Sequence, residues 1–567
     1  MPEPASGWPD HPYGWLSLAP PLATVLLAIV TRRAVASLLA GLMVGALILS
    51  AGRPVEACVR LLETHLWPTL VDPWQVRLFG FLVLIGAMIG VVNRSGGMQG
   101  LVGIIVPLAK TRRRGQLATW LAGLLVFFDD YTNTLLVGAT MRSTCDRLRV
   151  SREKLAYIVD STAAPVAGIA LLSTWVAVEI DFLQKGLDAC GADLVGEYNA
   201  VGLFLGCLPY RFYIIQALLF VPILAALGRD FGPMLHAERS ARRDRNDGES
   251  GGSPPPAGDH KLGVAPTHWS NAILPLGATL AVVIGLIVQT GRSAWAADNP
   301  GVAPSWQDLF GAAEANVALF YGALVGLGVA MAVSLGRGLL SHAEAGNAAF
   351  AGVRAVLPGM MILWLAGTMS GMTRDGGERV TADAGYQHAD VALYTGDYLQ
   401  SLLPLGDSSA SARAVALSLP TVTFLTAAVV AFSTGTSFGT MGILFPVVAP
   451  VAFAALGPTA GAPFSEPLLL ATFGAVLSGA IFGDHCSPIS DTTVLSSQSS
   501  GCDHIAHVVT QMPYALVVAA VTILFGTAPL AAGVSVWLLL PLQTTALVAI
   551  VLRFGKRVDA ETPVEGP

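Results

Sequence analysis

Charged residues are scarce in this sequence. Only 12% of its 567 residues are Asp, Glu, Lys or Arg, and 53% are hydrophobic, whereas soluble domains carry about 25% charged residues. The mean hydropathy is +0.62, and several apolar runs approach the roughly 20 residues that cross a bilayer as a helix. This composition excludes a soluble protein, and with it the soluble enzymes. It predicts an all-α polytopic membrane protein whose main partner is the lipid bilayer.

Cysteine is also rare, and its scatter excludes a disulfide framework. The N-terminal segment, "MPEPASGWPDHPYGW", lacks the basic region of a secretory signal, so we expect the first apolar run to be retained as a span. The net charge of −6 indicates no particular partner, and no nucleic acid is expected. The six cysteines lie in or beside apolar segments, as small apolar residues do: Cys58, Cys145, Cys190, Cys207, Cys486 and Cys502.

Long apolar runs predict about 11 transmembrane helices. Two further runs, 116–141 and 412–456, are broken near their centres by "FFDDYTN" and "FSTGTSFGT". The first is only 26 residues long between two basic clusters, too short for two spans, so both runs are predicted to enter and return as re-entrant hairpins. The uninterrupted runs are 15–30, 34–51, 75–92, 155–178, 200–228, 271–290, 313–336, 350–372, 467–495, 511–530 and 533–553.

Lysine and arginine fall mainly on one set of loops. Examples are "KTRRR" at 110–114 and "RLRVSREK" at 147–154, whereas "EIDFLQKGLDACGADLVGE" belongs to the acidic or neutral set. Basic loops stay on the cytoplasmic side. We therefore expect an inner (plasma) membrane protein with its N-terminus outside and its C-terminus cytoplasmic, although Arg53, Arg60 and Arg413 go against this orientation.

The order of features repeats within the chain. Residues 75–178 and 350–495 each contain a span, a polar connector, a hairpin with a polar tip, and a span broken by an Asp…Pro segment. The first connector is basic and the second is on balance acidic, as opposite orientation in the membrane predicts. Inverted repeats with helices broken near the midplane are typical of secondary transporters.

The repeat gives the predicted domain organisation. The parts, listed in chain order, are a tail (1–14), a first repeat (15–228), a cytoplasmic linker with the composition of a disordered segment (229–270), a second repeat (271–530), an extra helix (531–553) and a cytoplasmic tail (554–567).

Carboxylates at these polar breaks are the strongest functional signal. Asp129 and Asp130 share the first tip, and Asp160 and Asp484 lie at the two breaks. Carboxylates at membrane depth usually face a transport pathway, and adjacent ones repel unless a proton or cation intervenes. The alternative for each is a helix cap, with Asp129 or Asp130 capping a helix that begins at Tyr131 and with Asp491 capping "TTVLSS". Asp484 has no comparable capping role, so we rank it above Asp491 as a candidate ion or proton site.

Hydroxyls, amides and a histidine complete the predicted site. Hydroxyl and carbonyl oxygens suit Na⁺, although Ser and Thr also serve as helix-packing residues and His485 as a structural residue. The predicted ion- or proton-binding residues are Asp129, Asp130, Asn133, Thr134, Asp160, Ser161, Thr162, Asp484, Ser487 and Asp491. The predicted substrate-binding residues are Thr434, Gly435, Thr436, Ser437, His485, Ser490 and Thr492.

A zinc site is weighed and not predicted. "DHC" at 484–486 and "CDHIAH" at 502–507 carry Cys and His, but their spacing matches no zinc pattern. His504 and His507 are interpreted as surface residues of a cytoplasmic loop. No cofactor is expected, and sodium is the only metal ion expected.

Four segments resemble the signature blocks of the NhaC-type Na⁺/H⁺ antiporter family, within the ion transporter superfamily. They are "FFDDYTNTLLVG", "DSTAAPVAGIALLSTW", "STGTSFGTMGILFPV" and "GDHCSPISDTTVLSS", and the resemblance covers most of 75–530 in the same order. It implies a transport site lined by Asp129, Asp130, Asp160, Asp484 and the tip Thr434–Ser437. Phe438 stands where the family commonly has tryptophan. Its smaller ring, which has no N–H, would change the pocket, so this difference bears on the identity of the substrate rather than on the fold.

Two transport hypotheses follow. The first is a Na⁺(Li⁺)/H⁺ antiporter that exchanges cytoplasmic sodium for external protons. The second is a sodium-coupled transporter or exchanger of a small carboxylate, of the malate/lactate type, or of an amino acid. A membrane-embedded metalloenzyme or a purely structural protein is disfavoured by the paired breaks, so no enzyme is predicted. A homodimer is left open.

Overall fold

The structure is a computed structural model. It describes residues 11–31, 33–171, 173–190, 199–243, 268–298, 313–373, 391–395, 410–456 and 467–558, together with residues 300, 303, 304, 309 and 398. These residues are almost entirely helical, and the described strands are two residues long. The statements below concern these residues.

The first part of the chain, up to residue 243, contains α1 to α14. These helices are α1 (Ala19–Thr31), α2 (Ala34–Leu49), α3 (Pro54–Arg60), α4 (Trp67–Val71), α5 (Pro73–Arg94), α6 (Gly97–Gly103), α7 (Arg112–Leu125), α8 (Asp130–Arg147), α9 (Arg152–Asp160), α10 (Ala164–Ile169), α11 (Thr174–Asp188), α12 (Ala200–Cys207), α13 (Phe212–Leu227) and α14 (Gly232–Arg243). A π-helical segment, Leu61–Leu66, joins α3 to α4, and 3₁₀ turns cover Gly14–Leu18, Val106–Leu108 and Leu208–Tyr210.

The second part contains α15 to α24. These helices are α15 (Ser270–Asp298), α16 (Ala315–Gly336), α17 (His342–Thr373), α18 (Ala410–Thr434), α19 (Ser437–Leu456), α20 (Pro467–Cys486), α21 (Asp491–Ser500), α22 (His504–Thr522), α23 (Ala528–Ala531) and α24 (Val536–Phe554). A π-helical segment, Ile523–Thr527, joins α22 to α23. The strands β1 (Arg229–Asp230) and β2 (Lys556–Arg557) pair antiparallel.

Many helices are long and apolar enough to cross a membrane. Eight described helices meet this test alone, and three bent pairs of helices bring the number to 11 if each pair is one span. Among the bent pairs are α9–α10 with α11, and α12 with α13. The chain is therefore an all-α polytopic membrane protein, as predicted. The six cysteines are free thiols, so the exclusion of a disulfide framework is confirmed.

The first hairpin has short arms. Its helices α7 and α8 contain 14 and 18 residues and meet at residues 126–129, and neither is among the helices that could span alone. At 1.5 Å per residue both are shorter than the roughly 30 Å hydrocarbon core. Asn133 holds the turn, because its side-chain amide donates to the carbonyls of Gly123 (2.7 Å), Val126 (3.1 Å) and Thr162 (3.0 Å).

The second hairpin has longer arms than the first and lies close to its predicted bounds of 412–456. Its helices α18 and α19 contain 25 and 20 residues, and residues Leu417–Thr434 are long and apolar enough to span alone. The two arms pack on each other and reverse direction at Gly435, whose φ is +66°. The two predicted hairpins are therefore present as helix pairs of different length, and their depth in the membrane stays a prediction.

The two halves of the chain contact each other reciprocally. The second arm of the first hairpin, α8, packs on α21, the helix that follows the break in the second half. The second arm of the other hairpin, α19, packs on α11, which follows the break in the first half. Such an exchange is what a twofold relation between repeats produces. The opposite orientation of the repeats stays a prediction.

The linker prediction is wrong for residues 229–243. This segment forms β1 and α14, and Asp230 and Glu238 are buried. Asp230 accepts hydrogen bonds from Lys154 Nζ and the Tyr514 hydroxyl, both at 2.6 Å. A charged segment orders here because its acids find buried donors. Residues 244–267 lie outside the described residues.

The acidic loop predicted after residue 178 is also partly wrong. Residues up to Asp188 continue α11, and most of this helix is buried. Its charges are paired: Arg211 Nη1 donates to Glu179 Oε2 at 2.6 Å, and Lys185 donates to Asp181. Paired charges can be buried where single ones cannot. Residues 191–198 lie outside the described residues.

Candidate functional site

Asp484, near the end of α20, is held by the tip of the second hairpin. One carboxylate oxygen, Oδ2, accepts from the Ser437 hydroxyl at 2.7 Å and from the Ser437 backbone N–H at 3.2 Å. The donors lie at the first residue of α19, where the backbone N–H groups of a helix favour an anion. The other oxygen, Oδ1, is buried and has no hydrogen-bond partner among the described residues. Asp484 thus presents one fixed and one available oxygen.

Asp160, at the end of α9, has the same arrangement in the other half of the chain. Its Oδ2 accepts from Gln511 Nε2 at 2.5 Å and from Thr493 Oγ1 at 3.3 Å. Its Oδ1 is buried without a partner. Thr493 Oγ1 is also 3.3 Å from the backbone carbonyl of Asp484. The two predicted break carboxylates are therefore brought together across the repeats, and Asp160 is not a local helix cap.

Asp129 is the cap of the first hairpin. It precedes α8, and its Oδ2 accepts from the backbone N–H (2.8 Å) and the hydroxyl (2.7 Å) of Thr132. Its Oδ1 accepts from Thr174 Oγ1 at 3.4 Å. Both oxygens are therefore occupied locally, which favours the capping alternative. The helix begins at Asp130 rather than Tyr131.

Asp130 and Asp491 connect the first hairpin to the second break. The Tyr131 hydroxyl donates to Asp491 Oδ2. The negative charges of Asp129 and Asp491 repel the carboxylate of the buried Asp130. The negative charge of Asp491 also repels the carboxylate of Asp484. Asp491 is the first residue of α21 rather than its cap, because Ser490 occupies the capping position. The Ser490 side chain makes no cap bond, whereas Asp491 Oδ1 accepts from the Thr492 N–H at 2.9 Å. Asp491 therefore serves the start of α21 from within its first turn, close to the capping alternative.

The carboxylates have no basic partners within the described chain. Asp130, Asp160, Asp484 and Asp491 make no salt bridge to a described Lys, Arg or His. Asp160 and Asp484 are 0% and 2% exposed. Buried carboxylates without a charged partner are costly when ionised, so a proton or a cation would stabilise Asp160 and Asp484.

Most predicted hydroxyls serve the backbone. Thr134 Oγ1 donates to the carbonyls of Asp130 and Tyr131, and Thr162 Oγ1 to those of Ile158 and Val159. Ser487 Oγ donates to the Phe432 carbonyl at 2.8 Å. Ser490 and Thr492 bond each other at 3.1 Å, and Ser161 is buried beside Asp160. These residues shape the breaks and do not converge on one point.

The tip of the second hairpin packs against the second break. A Cβ on Gly435 would lie 2.6 Å from the Ile489 carbonyl, so only glycine fits there. Thr436 Oγ1 accepts from the Gly439 N–H at 3.3 Å, and Thr434 Oγ1 lies 3.5 Å from Thr440 Oγ1. Phe438 packs on Trp175 with ring centroids 4.6 Å apart. Within Thr434–Ser437, Ser437 is the residue that contacts a site carboxylate.

The side chain of His485 bonds to Tyr213 on α13. Its Nδ1 lies 3.0 Å from the Tyr213 hydroxyl, and its Nε2 is buried without a hydrogen-bond partner. The His485 carbonyl accepts from Gln511 Nε2 at 2.8 Å. The ring therefore belongs to the packing between α13 and α20, with one nitrogen left available.

Gln511 is a site residue that the sequence analysis missed. Gln511 lies within the apolar stretch of α22. Its uncharged amide is a weaker sequence signal than the carboxylates at the breaks. A polar residue at membrane depth was the signal that could have found it. His507 was interpreted as a surface residue, which is wrong, because it is 0% exposed and bonds Gln511 Oε1 at 2.9 Å.

A separate polar cavity lies beside α11. It has a volume of about 700 Å³, and its lining includes Trp74, Gln75, Asp181 and Lys185. Trp74 Nε1 donates to Asp181 Oδ1 at 3.2 Å, and Lys185 Nζ donates to the Leu363 carbonyl at 2.9 Å. None of the predicted site residues lines this cavity.

Fold and site together define the class of this protein. Broken helices that bring buried carboxylates together inside a polytopic bundle are the mark of a secondary transporter. The sequence model of the Na⁺/H⁺ antiporter family matches residues 166–381 and 395–528. The chain belongs to this Na⁺/H⁺ antiporter family, and the resemblance seen in its motifs is confirmed.

Individual relatives agree with the family. An uncharacterised protein of Haemophilus influenzae is 31% identical over 509 residues, 89% of each chain. A malate-2H⁺/Na⁺-lactate antiporter of Bacillus subtilis is 44% identical over 86 residues, 15% of this chain and 16% of its own. An uncharacterised Na⁺/H⁺ antiporter of Haemophilus influenzae is 41% identical over 110 residues, 19% of this chain and 21% of its own.

Solved structures were also compared. Neisseria gonorrhoeae MtrF, described as illuminating a class of antimetabolite efflux pumps, is 12% identical with a TM-score of 0.49, over 87% of this chain and 84% of its own. The Alcanivorax borkumensis YdaH transporter is 12% identical with a TM-score of 0.44, over 89% and 90%.

Proposed function

We propose that this protein exchanges cytoplasmic Na⁺ or Li⁺ for external protons. The observation that carries the proposal is the pair Asp160 and Asp484, each buried with one oxygen fixed and one without a partner. A proton or a sodium ion satisfies such an oxygen, and both cannot occupy it together. Competition of this kind couples the two ions. The proposal assigns transport and no covalent chemistry.

The surrounding groups support this role. Ser437 and Gln511 hold the second oxygen of Asp484 and Asp160, so neither carboxylate can turn away from the site. Asp130 and Asp491 add negative charge that attracts a cation. Since Ser437 belongs to one hairpin and Tyr131, which binds Asp491, to the other, movement of either hairpin would change the binding of the ion.

The direction rests on the distribution of basic residues. The clusters at 110–114 and 147–154 place the start of α7 and of α9 on the cytoplasmic side of a plasma membrane. With this orientation the N-terminus lies outside and the C-terminus inside. Under an inward proton gradient, exchange through the carboxylates would expel sodium.

The test is transport by the purified protein in proteoliposomes that carry a preset ΔpH and a pH dye. External addition of Na⁺ or Li⁺, without any organic solute, is expected to dissipate ΔpH, while K⁺ or choline is not. Empty liposomes correct for leakage. If ΔpH is insensitive to Na⁺ and Li⁺ in protein-containing liposomes, the proposal fails.

A second candidate is exchange of a small carboxylate coupled to Na⁺ and H⁺. It is favoured by the local match to the Bacillus subtilis protein named as a malate-2H⁺/Na⁺-lactate antiporter. The neutral tip Thr434–Ser437 offers hydroxyl and N–H donors for a carboxylate. In the same liposomes, this function predicts that ΔpH changes only when malate or lactate is supplied with Na⁺.

A further inference from the structure

A chain of hydrogen bonds leaves Asp160 and runs along α21 and α22. Gln511 joins Asp160 to His507, with Gln511 Oε1 and His507 Nε2 2.9 Å apart. His507 Nδ1 lies 2.8 Å from Ser497 Oγ, and His504 Nδ1 lies 3.1 Å from the same oxygen. His504 is partly exposed, whereas His507 and Ser497 are buried. The chain therefore connects a buried carboxylate to the surface of the bundle.

The direction of the bonds at Gln511 is set by its partners. Its Nε2 lies 2.8 Å from the backbone carbonyl of His485 and 2.5 Å from Asp160 Oδ2. A carbonyl can only accept, so the amide N–H₂ group must face this way and Oε1 must face His507. His507 Nε2 therefore carries a hydrogen and donates it to Gln511.

The other nitrogen of His507 faces an oxygen whose hydrogen points elsewhere. Ser497 Oγ lies 2.6 Å from the Thr493 carbonyl, a distance that requires the hydroxyl hydrogen to lie between them. A hydroxyl has one hydrogen to donate. At 2.8 Å from the same Oγ, His507 Nδ1 must then be the donor. With hydrogens on both ring nitrogens, His507 is an imidazolium, and this is the protonation state that the two partner oxygens favour.

His504 is a second possible position for this proton. Its Nε2 lies 2.6 Å from the Pro488 carbonyl and must donate to it. Its Nδ1 meets the same Ser497 oxygen as His507 does. Two charged imidazoles on one hydroxyl would repel. The cluster of His504, Ser497 and His507 is therefore completed by one added proton.

We propose that His507, with Ser497 and His504, is a proton-binding site separate from the transport carboxylates and coupled to Asp160 through Gln511. The ligand is a single proton, held at His507 Nδ1. Its charge balances ionised Asp160 across the amide of Gln511. The existence of the proton site does not depend on which ion the carboxylates transport. Only its effect on exchange rests on the proposed function.

The charges around the cluster leave Asp160 as its main counterpart. The charges that act on the His507 ring are those of Asp160 from α9 and His504 from α22 itself. Asp503, at the start of α22, caps the helix and accepts from the Ala506 N–H at 2.9 Å. His485 from α20 contributes its carbonyl to Gln511, and the acid on α21, Asp491, is bound by Tyr131. On the other elements packed against α22, Lys154 is paired with Asp230 and Glu238 of α14 with Arg112.

The direct test is nitrogen NMR of the detergent-solubilised protein labelled with ¹⁵N-histidine. Loss of signals in His507→Asn and His504→Asn assigns the two rings. We titrate His507 between about pH 5 and 8, the range in which histidines change charge. We expect two protonated nitrogens at the acid end and the loss of one hydrogen in a single step as the pH rises. A singly protonated His507 throughout that range would overturn the proposal.

Ser497→Ala tests the geometry without removing a histidine. Loss of the acceptor is expected to lower the midpoint of the His507 step by about one pH unit, the equivalent of one hydrogen bond to a charged group. Ser499→Ala is the matched control on the same helix, since Ser499 Oγ donates to the Ser496 carbonyl and contacts neither histidine in the described structure. Equal midpoints in Ser497→Ala and Ser499→Ala would contradict the proposed acceptor.

Transport adds a second, distinguishable readout. In His507→Asn the dependence of the apparent Na⁺ KM on pH is expected to become shallower, with kcat changed only a few-fold. The same substitution at the exposed His342 is the control. If the NMR step is present but no Na⁺-driven exchange occurs, the proposed function fails and the proton site stands. If exchange occurs but the KM profile of His507→Asn matches that of the unsubstituted protein, the coupling to Asp160 is wrong.

Discussion

The second oxygen of each carboxylate distinguishes a site residue from a cap. Asp129 uses both oxygens within its own hairpin and the start of α11. Asp160 and Asp484 use one oxygen each and leave the other buried and unsatisfied. A buried acceptor without a partner is costly to maintain. Its presence on a carboxylate at the break in each half of the chain is the observation on which the proposed ion site rests.

Asp484→Asn is expected to abolish Na⁺-driven exchange while the protein still inserts and folds. The amide cannot carry the negative charge that Na⁺ requires, although it can still accept from Ser437. Liposome ΔpH measurements and size-exclusion profiles check both parts. Asp146→Asn is the control, because Asp146 is half-exposed and its pair with Arg152 lies at the surface, where such pairs contribute little. Unchanged exchange in Asp484→Asn would remove this residue from the site.

The adjacent acids of the first hairpin should respond differently. Asp130→Asn is expected to abolish exchange, because Asp130 is buried among the site charges. Asp129→Asn should keep most of it, since asparagine caps helices as well as aspartate does. Asp129→Ala should lower the free energy of unfolding by about 1 kcal/mol. Exchange assays and thermal melts in detergent measure these effects, and loss of exchange in Asp129→Asn would place Asp129 in the ion site instead.

At the scale of elements, the polar interruptions were predictable and the buried ion pairs were not. A carboxylate inside an apolar run stands out, so both tips and both breaks were found. Glu179 and Arg211 lie 32 residues apart in the sequence, and nothing local indicates that they pair. The charged part of α11 therefore resembled a loop. The ordered structure of residues 229–243 was not predicted for the same reason, because their acids pair with bases that are distant in the sequence.

Asn133 is expected to stabilise the first hairpin and the first break together. Its amide satisfies carbonyls of Gly123, Val126 and Thr162 that helix termination would leave free. Asn133→Ala should lower the free energy of unfolding by about 1–3 kcal/mol, because buried acceptors lose their donor. Thermal melts measure this. Thr134→Val is the neighbouring control, since Thr134 bonds only its own helix in the described structure. Equal melting temperatures for the two variants would rule out this role.

At the scale of the whole molecule, residues 229–243 join distant parts of the chain. β1 pairs with β2 after α24, and Arg229 Nη1 donates to the carbonyls of Leu552 (3.1 Å) and Gly555 (2.8 Å). Glu238 accepts from Arg112 at the start of α7 and from the Ser151 N–H at 2.7 Å before α9. The segment therefore fixes the ends of the hairpin and of the helix that carries Asp160.

The ion pair of Lys154 and Asp230 is one of the contacts that hold residues 229–243 in place. A double-mutant cycle can test its contribution to stability. Lys154→Met leaves the Asp230 carboxylate buried with the Tyr514 hydroxyl alone, and should cost about 3–5 kcal/mol. Adding Asp230→Leu removes the stranded charge, so the double variant should recover part of that loss. Chemical unfolding in detergent measures each step. Arg152→Met is the matched control, because the Arg152–Asp146 pair is half-exposed and should contribute less than about 1 kcal/mol. If the double variant is less stable than Lys154→Met by the full cost of Asp230→Leu alone, the two residues act independently and residues 229–243 are held by other contacts.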